Sequence, residues 1–174
     1  MKAESVAQFA EEQKKHNMAK NSGSTSCQQC GYCCLQQPCV PEPGEFEAIA
    51  RFLGMEPAEL AQKYTVVNED KKGYFLLWIR ETQGDIAGKY IPYYRTYDRG
   101  YCVFFDKENH ECKIHSVRPK SAKSSVCWEN PTITYNGIWP VHEIQKLLPD
   151  FDPNGGKYVY KTNEIGLPCK VRVA

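Results

Sequence analysis

The chain has 174 residues, 41% of them hydrophobic and 25% charged, which is typical of one globular domain with a core of modest size. Its 22 Lys and Arg balance 21 Asp and Glu, so no overall field attracts nucleic acid or an anionic membrane. The polar N terminus lacks the apolar stretch of a signal peptide, and no apolar run approaches the roughly 18 residues of a membrane span. These features predict a soluble, cytoplasmic protein without a membrane partner.

The N-terminal segment differs in composition from the rest of the chain. Residues 3–20 are rich in Ala, Glu, Gln and Lys, which predicts a weakly amphipathic helix. Residues 21–26 read NSGSTS, the composition of a flexible linker. We therefore predict an N-terminal helix and linker over residues 1–26 and one domain over residues 27–174.

Two helices are predicted after the first cysteines. Apolar residues recur at helical spacing over residues 45–53, and Gly54 follows as a C-terminal cap. Residues 57–64 begin with proline, which favours the first helical position, and they place Leu60 and Ala61 on the inner side. The two segments are predicted to form a helical pair.

Aromatic and β-branched residues dominate the next part of the chain. The stretches 73–81, 89–97 and 100–106, separated by turn sequences, predict a small antiparallel sheet. A helix near residues 141–148 and a strand over residues 157–161 are predicted further on. The predicted fold class is therefore α+β, a small single domain of short helices packed beside a small antiparallel sheet.

The nine cysteines carry the functional signal. In a reducing compartment thiols bind metals or do redox chemistry more often than they form disulfides, and the odd number also disfavours a disulfide framework. The run CQQCGYCC has the spacing C-x2-C-x2-C-C, which lets one loop wrap round an ion. Gly31 within it can take the positive φ that a tight reversal requires. We therefore predict a cysteine-rich metal-binding loop.

Eight side chains are candidate metal ligands, four from the run and four from residues 102–127. Adjacent Cys33 and Cys34 tend to point in different directions, so they hardly serve one tetrahedral ion together. Eight ligands suffice for two four-ligand centres, or for one cluster plus an ion. The candidates are Cys27, Cys30, Cys33, Cys34, Cys102, Cys112, His115 and Cys127.

Zinc and an iron–sulfur cluster remain alternative cofactors. Zinc accepts four thiolates, or three with one imidazole, whereas clusters take cysteine almost exclusively. The spacing of Cys27, Cys30 and Cys33, with a distant further cysteine, favours a [4Fe-4S] cluster. A small core, in contrast, gains folding energy from structural zinc.

Cys39 and Cys169 each follow a proline, and we predict that both are structural.

Several ordered motifs resemble a known family. CQQCGYCC, CVPEPGEFEAIARFLGM and GYCVFFDKENHECKIHSVRP together are similar to the YkgJ-type cysteine-cluster proteins, a family with a CxxCxxCC zinc- or iron-chelating domain. The resemblance covers residues 27–127 and implies metal binding rather than a particular reaction. Pro43–Glu45 resembles the family's Pro-Gly-Glu helix start. The family pattern continues from Arg118 as R-P-x-x-C, but here that last position is Ala122, and the next cysteine is Cys127.

Three functions remain open. The first is a metal-binding protein, and the second is a redox or group-transfer enzyme that uses the metal centre, since there are more cysteines than one closed site needs. The third is a peptide or nucleic-acid interaction module with a structural metal. No phosphate-binding loop, nucleophile elbow or dinucleotide fingerprint occurs in the sequence, so catalytic residues are not predicted.

A tyrosine-rich stretch is the candidate surface for the third function. Its tyrosines could stack on a ligand, although alternate tyrosines also pack one face of a sheet. We name it the Tyr90–Tyr101 surface; packing of a sheet is the favoured reading, a protein partner is the alternative hypothesis, and the balanced charge disfavours nucleic acid. The surface consists of Tyr90, Tyr93, Tyr94, Tyr97 and Tyr101, interleaved with Lys89, Arg95 and Arg99.

Overall fold

A computed structural model of the chain describes residues 31, 34–35, 39–91, 95–96, 98–124, 134–153, 157–162 and 168–173, the last two ranges as backbone only. The predicted N-terminal helix and linker lie outside these residues. The described elements confirm the α+β class, with short helices beside small antiparallel sheets. In chain order they are α1 (Pro43–Phe52), α2 (Pro57–Tyr64), β1 (Thr65–Asp70), β2 (Gly73–Trp78), β3 (Phe105–Asp106), β4 (Glu111–Cys112), α3 (Lys120–Ser124), β5 (Ile138–Trp139), α4 (Val141–Leu147), β6 (Lys157–Thr162) and β7 (Pro168–Val173).

The predicted helical pair is confirmed. Both α1 and α2 begin with proline, whose fixed φ suits a first helical position. The chain leaves α1 through Gly54, whose φ of 66° is the left-handed conformation that ends many helices. Leu60 and Ala61 are fully buried, as predicted. Helix α1 begins at Pro43 rather than at residue 45, because the proline and the following glycine form its first turn.

A three-stranded antiparallel sheet, in the order β1–β2–β5, forms the centre of the domain. Successive residues of a strand point to opposite faces, and in this sheet both faces are covered. Val67, Leu76 and Trp78 pack into the main core with the helices, whereas Val66 and Leu77 belong to a smaller core on the other face. Strand β1 was not predicted, because its apolar stretch is short and its second half is the polar sequence Asn-Glu-Asp.

An aromatic cluster joins the helices to the sheet. The ring of Phe46 in α1 stacks on Trp78 with centroids 5.6 Å apart and meets Trp139 edge-on at 5.5 Å. Trp78 in turn meets Phe104 edge-on at 5.0 Å. Such contacts contribute about 0.5–1.5 kcal/mol each beyond the buried area. The cluster therefore holds the chain just before β3 firmly against the end of β2.

Two of the three predicted strands are only partly present. Residues 73–81 contain β2, but in 89–97 Tyr90 forms an isolated parallel bridge and residues 95–96 lie in a helical turn; residues 92–94 and 97 lie outside the description. In 100–106 the strand β3 takes only the last two residues.

The C-terminal elements agree with the predictions more closely. Helix α4 and strand β6 are confirmed, and β6 pairs with β7, which was not predicted. Among the described residues, none of the helices has both the length and the apolar character that crossing a bilayer requires.

Candidate metal centre

The cysteine run is described at Gly31 and Cys34. Gly31 is buried and has a φ of 81°, which confirms the predicted positive φ within the loop. The Leu35 amide donates to the Gly31 carbonyl at 3.0 Å, so the chain forms one helical turn around Cys34. The other three cysteines of the run lie outside the described residues: Cys27, Cys30 and Cys33.

One backbone carbonyl joins the run to the downstream cysteines. The carbonyl oxygen of Cys34 accepts a hydrogen bond from the backbone N–H of Cys102 at 2.9 Å. The same oxygen accepts a second hydrogen bond from Nη1 of Arg80. Two segments that are far apart in the sequence, each containing candidate ligands, therefore meet at this oxygen.

Cys102 lies opposite Arg80 in an isolated antiparallel bridge. The flanking hydrogen bonds, Glu81 N–H to the Tyr101 carbonyl and Val103 N–H to the Ile79 carbonyl, are both 3.0 Å long. In this arrangement the N–H of Cys102 points away from Arg80 and reaches the cysteine run instead of a neighbouring strand. This explains why residues 100–106 do not continue as the predicted strand. It also places the two side chains next to each other on one face.

The thiol of Cys102 lies in a strongly perturbed environment. The side chain is only 8% exposed, and burial raises the pKa of the Cys102 thiol to about 11. A hydrogen bond from the Phe104 N–H to the sulfur and the positive charge of Arg80 act in the opposite direction, towards the thiolate. Backbone N–H groups and cations close to sulfur are among the features that tune thiolate-held metal centres.

A short hairpin carries the second downstream cysteine. Strands β3 and β4 pair with Phe105 opposite Cys112. The carboxylate of Asp106 closes the turn by accepting hydrogen bonds from the backbone N–H of Asn109, at 3.1 Å, and from the Asn109 side chain. These hydrogen bonds lower the pKa of Asp106. Cys112 comes near enough for its charge to act on the thiol of Cys102. The local sequence DKENHEC therefore brings two cysteines ten positions apart to the same region.

Arg80 is a functional candidate that the sequence reading missed. Its side chain is 1% exposed, and within the described part of the chain neither Nε nor Nη2 has a hydrogen-bond partner. Burial lowers the pKa of Arg80, while the charges of Cys102, Cys39 and Cys34 oppose this shift. An arginine nevertheless stays protonated in proteins, and a buried unpaired charge is costly. These orphaned donors fit a negatively charged group, such as a metal centre held by several thiolates.

A comparison with models of protein families matches residues 26–143 to the family described as "CxxCxxCC: Putative zinc- or iron-chelating domain". The chain belongs to the CxxCxxCC family. The resemblance predicted from the motifs is thereby confirmed, and chelation of zinc or iron is the function described for the family. The match extends from the cysteine run into α4 and leaves out the β6–β7 hairpin. No solved structure matches the chain.

The position at which the resemblance predicts the R-P-x-x-C cysteine is Ala122, which lies in α3. The residue before it, Ser121, donates to the carbonyl of Val40 at 2.8 Å and accepts the Val40 N–H at 2.9 Å. This reciprocal pair joins α3 to the segment next to Cys39. Cys127 follows α3 but lies outside the described residues.

The segment from Cys39 to Pro41 is also held from its other side. The Cys39 carbonyl accepts the N–H of Trp78 at 3.2 Å, and the Pro41 carbonyl accepts Nε1–H of Trp139 at 2.8 Å. Cys39, predicted to be structural, packs against the main core and lies close enough to Arg80 for its thiolate form to oppose the lowering of the Arg80 pKa. Its placement close to the other thiols was not predicted.

His115 has a different neighbour. Its Nε2 lies 2.7 Å from Nη1 of Arg118, and burial, followed by the positive charge of Arg118, lowers the pKa of His115. A neutral ring whose Nε2 accepts from arginine carries its proton on Nδ1. Ligation of a metal by His115 would therefore require its contact with Arg118 to break.

The described thiols alone do not complete a site. Cys34, Cys39, Cys102 and Cys112 all lie in or against the main core. Within the described residues, however, no group of three His, Cys, Asp or Glu side chains has the geometry to hold a metal ion.

The Tyr90–Tyr101 surface is less exposed than predicted where it is described. Tyr101 is 3% exposed and stacks on Phe105 with centroids 4.9 Å apart, so it packs the interior. Tyr90 is half-buried, and its hydroxyl lies 3.4 Å from a carboxylate oxygen of Glu69. Tyr93, Tyr94 and Tyr97 lie outside the described residues.

A carboxylate joins α1 to α3 and offers a test of this part of the fold. Glu42 accepts hydrogen bonds from Nζ of Lys120 and from the backbone N–H of Asn136, both at 2.6 Å. These bonds lower the pKa of Glu42, with the Lys120 bond the larger cause. A carboxyl group with a depressed pKa stabilises the fold above its unfolded pKa of about 4.3, and this contribution is lost as the pH falls through the folded value.

We therefore expect Glu42→Gln to destabilise the protein by about 1 kcal/mol at pH 7, since bonds to a charged group are lost but solvent screens the partly exposed pair with Lys120. The difference from wild type should be smaller at pH 3 than at pH 7, because the stability that comes from a carboxyl group with a lowered pKa declines as the pH falls. Urea unfolding at both pH values measures it. Glu47→Gln, at an exposed position of α1, is the control and should change little. A deficit of equal size at both pH values would contradict the role assigned to the carboxylate.

Proposed function

We propose that this member of the CxxCxxCC family holds zinc or iron in a thiolate centre shared between the cysteine run and residues 102–127. The observation that carries the proposal is the hydrogen bond from the Cys102 N–H to the Cys34 carbonyl. It supports a common site because it joins the two cysteine-containing segments directly. Arg80, bonded to the same oxygen, supports the negative charge that such a site would have.

The proposed ligands come from both sides of this junction. Cys102 and Cys112 are the contribution of the downstream segment, and the influence of Cys112 on the Cys102 thiol supports a shared role. Because the described residues alone do not complete a site, the remaining thiolates would come from the run, and a centre of four ligands would take its fourth from among Cys102, Cys112 and Cys127. His115 is the less favoured candidate because Arg118 engages its Nε2. The ligands proposed from the run are Cys27, Cys30 and Cys33, with Cys34 as their neighbour.

The form of the metal is proposed from the spacing of the run. Three cysteines at intervals of three, with a fourth from elsewhere, favour an iron–sulfur cluster of the [4Fe-4S] type, and zinc is the alternative. When bound, the ion or cluster would supply the positive charge that allows several thiolates to lie together. The chain's own residues orient those thiolates: the Phe104 N–H at the Cys102 sulfur and Arg80 beside it.

The test is a metal and sulfide analysis of protein purified without oxygen. We expect brown protein with iron and acid-labile sulfide in equal amounts. Colourless protein with one zinc per chain would assign the alternative form of the same site. Protein that retains neither metal, after expression with iron and zinc supplied, would overturn the proposal.

A further inference from the structure

Arg80 is the one charged side chain buried among the described residues. It continues an inward-facing series along β2, two positions after Trp78 and four after Leu76, where the strand period would place an apolar residue. A charge at such a position costs several kcal/mol unless it is paired and fully hydrogen-bonded. An apolar side chain at this position would be less destabilising than a buried charge. We therefore expect Arg80 to have an anionic partner that offsets the cost of burial.

The hydrogen bonds of Arg80 show which part of it is unsatisfied. Its backbone N–H donates to Oε1 of Gln83 at 2.9 Å, and Nη1 donates to the Cys34 carbonyl. The Nε–H and both N–H groups of Nη2 have no partner within the described part of the chain. The Nε–H and one N–H of Nη2 form one edge of the planar guanidinium, an edge that binds anions with two parallel bonds.

Three cysteines lie near the Arg80 side chain. Cys102 lies directly opposite Arg80 in the bridge, and Cys39 and Cys34 are the other cysteines whose charges act on it. A neutral thiol accepts hydrogen bonds weakly, whereas a thiolate is a charged acceptor. The donors of Arg80 thus match cysteines in the form in which they bind metal.

We infer that Arg80 is the positioning residue and buried counter-charge of the thiolate centre, directing Nε–H and Nη2–H towards sulfur when the centre is loaded. The inference rests on the proposed function. Four thiolates outnumber the charge of one zinc ion, and a cysteine-bound cluster is also anionic, so a buried cation compensates either form. Arg80 does not bind the metal itself; it favours the thiolates that do.

The experiment compares Arg80→Met, which keeps the length but removes the charge, with Arg80→Lys, which keeps the charge. Loaded proteins are mixed with a competing chelator, and metal transfer is followed. We expect Arg80→Met to release metal about 10–100-fold more readily than wild type, the range found for partners of metal ligands. Arg80→Lys should lie between the two, and Arg51→Met, at an exposed position, should match wild type.

A second measurement separates this role from ordinary packing. In metal-free protein the guanidinium is buried without its anion, so metal-free Arg80→Met should be at least as stable to urea as metal-free wild type. An iron–sulfur cluster in Arg80→Met should also have a more negative reduction potential, because the reduced cluster carries the larger negative charge.

Three results would overturn the inference. The first is metal retention by Arg80→Met equal to wild type, and the second is equal losses in Arg80→Met and Arg80→Lys. The third is a loss of stability to urea, relative to wild type, that is as large in metal-free Arg80→Met as in the loaded variant. If metal-free wild type has no cooperative transition, the comparison of the methionine and lysine variants in chelator transfer decides alone. Failure of the proposed function is distinct, since wild type itself would then bind no metal.

Discussion

Cys102→Ser is expected to lose stable metal binding, with affinity lower by more than about 100-fold. Loss of an outer partner costs 10–100-fold, and loss of a ligand should exceed that range. Cys102 is the natural test because it combines burial, the N–H bond from Phe104 and the adjacent Arg80. Iron, sulfide and zinc per chain, measured after anaerobic purification and desalting, report the loss directly.

The control for this variant is Cys169→Ser. Cys169 lies in β7, outside the residues matched to the family, and we expect its replacement to leave metal content unchanged. Far-ultraviolet circular dichroism of both variants shows whether a loss of metal follows from unfolding. Folded Cys102→Ser that retains a wild-type amount of metal at wild-type affinity would remove Cys102 from the ligand set.

Removal of the metal is expected to lower the melting temperature strongly. Breaking a buried ion pair costs about 3–5 kcal/mol, and removal of the centre leaves Arg80 without its anion. For a chain of this length, at about 2–4 °C per kcal/mol, the midpoint should fall by about 6–20 °C. The link between the cysteine run and the sheet should weaken at the same time, because metal binding to such sites contributes to folding.

Thermal unfolding of loaded and chelated protein under reducing, anaerobic conditions measures this difference. Restoring the metal should restore the midpoint. Ile144→Val, in the main core, should lower both midpoints by a similar small amount, since it costs about 0.5–1.5 kcal/mol whatever the metal content. Equal midpoints for loaded and metal-free wild type would show that the centre does not support the fold.

Local signals explain which elements could be predicted. Helix α2 has its predicted bounds because its proline start and inward-facing pair lie within eight consecutive residues. The positive φ of Gly31 was also predictable, since the crowded cysteine spacing itself demands it. The prediction of a strand over residues 100–106 was only partly right, for a non-local reason. The N–H of Cys102 donates to the Cys34 carbonyl, a partner that no window of sequence around Cys102 contains.

For the candidate site, too, short sequence patterns predicted some features, and only the folded structure revealed the others. Family motifs were sufficient to identify a zinc- or iron-chelating family, and helical and strand patterns were sufficient for the α+β class, because both are properties of short, contiguous patterns. Arg80 resembled the polar end of a strand, and Tyr101 an exposed aromatic residue, until tertiary packing placed both in the interior. Burial and charge pairing depend on segments that meet only after folding, so the tertiary structure alone identified the cation beside the cysteines.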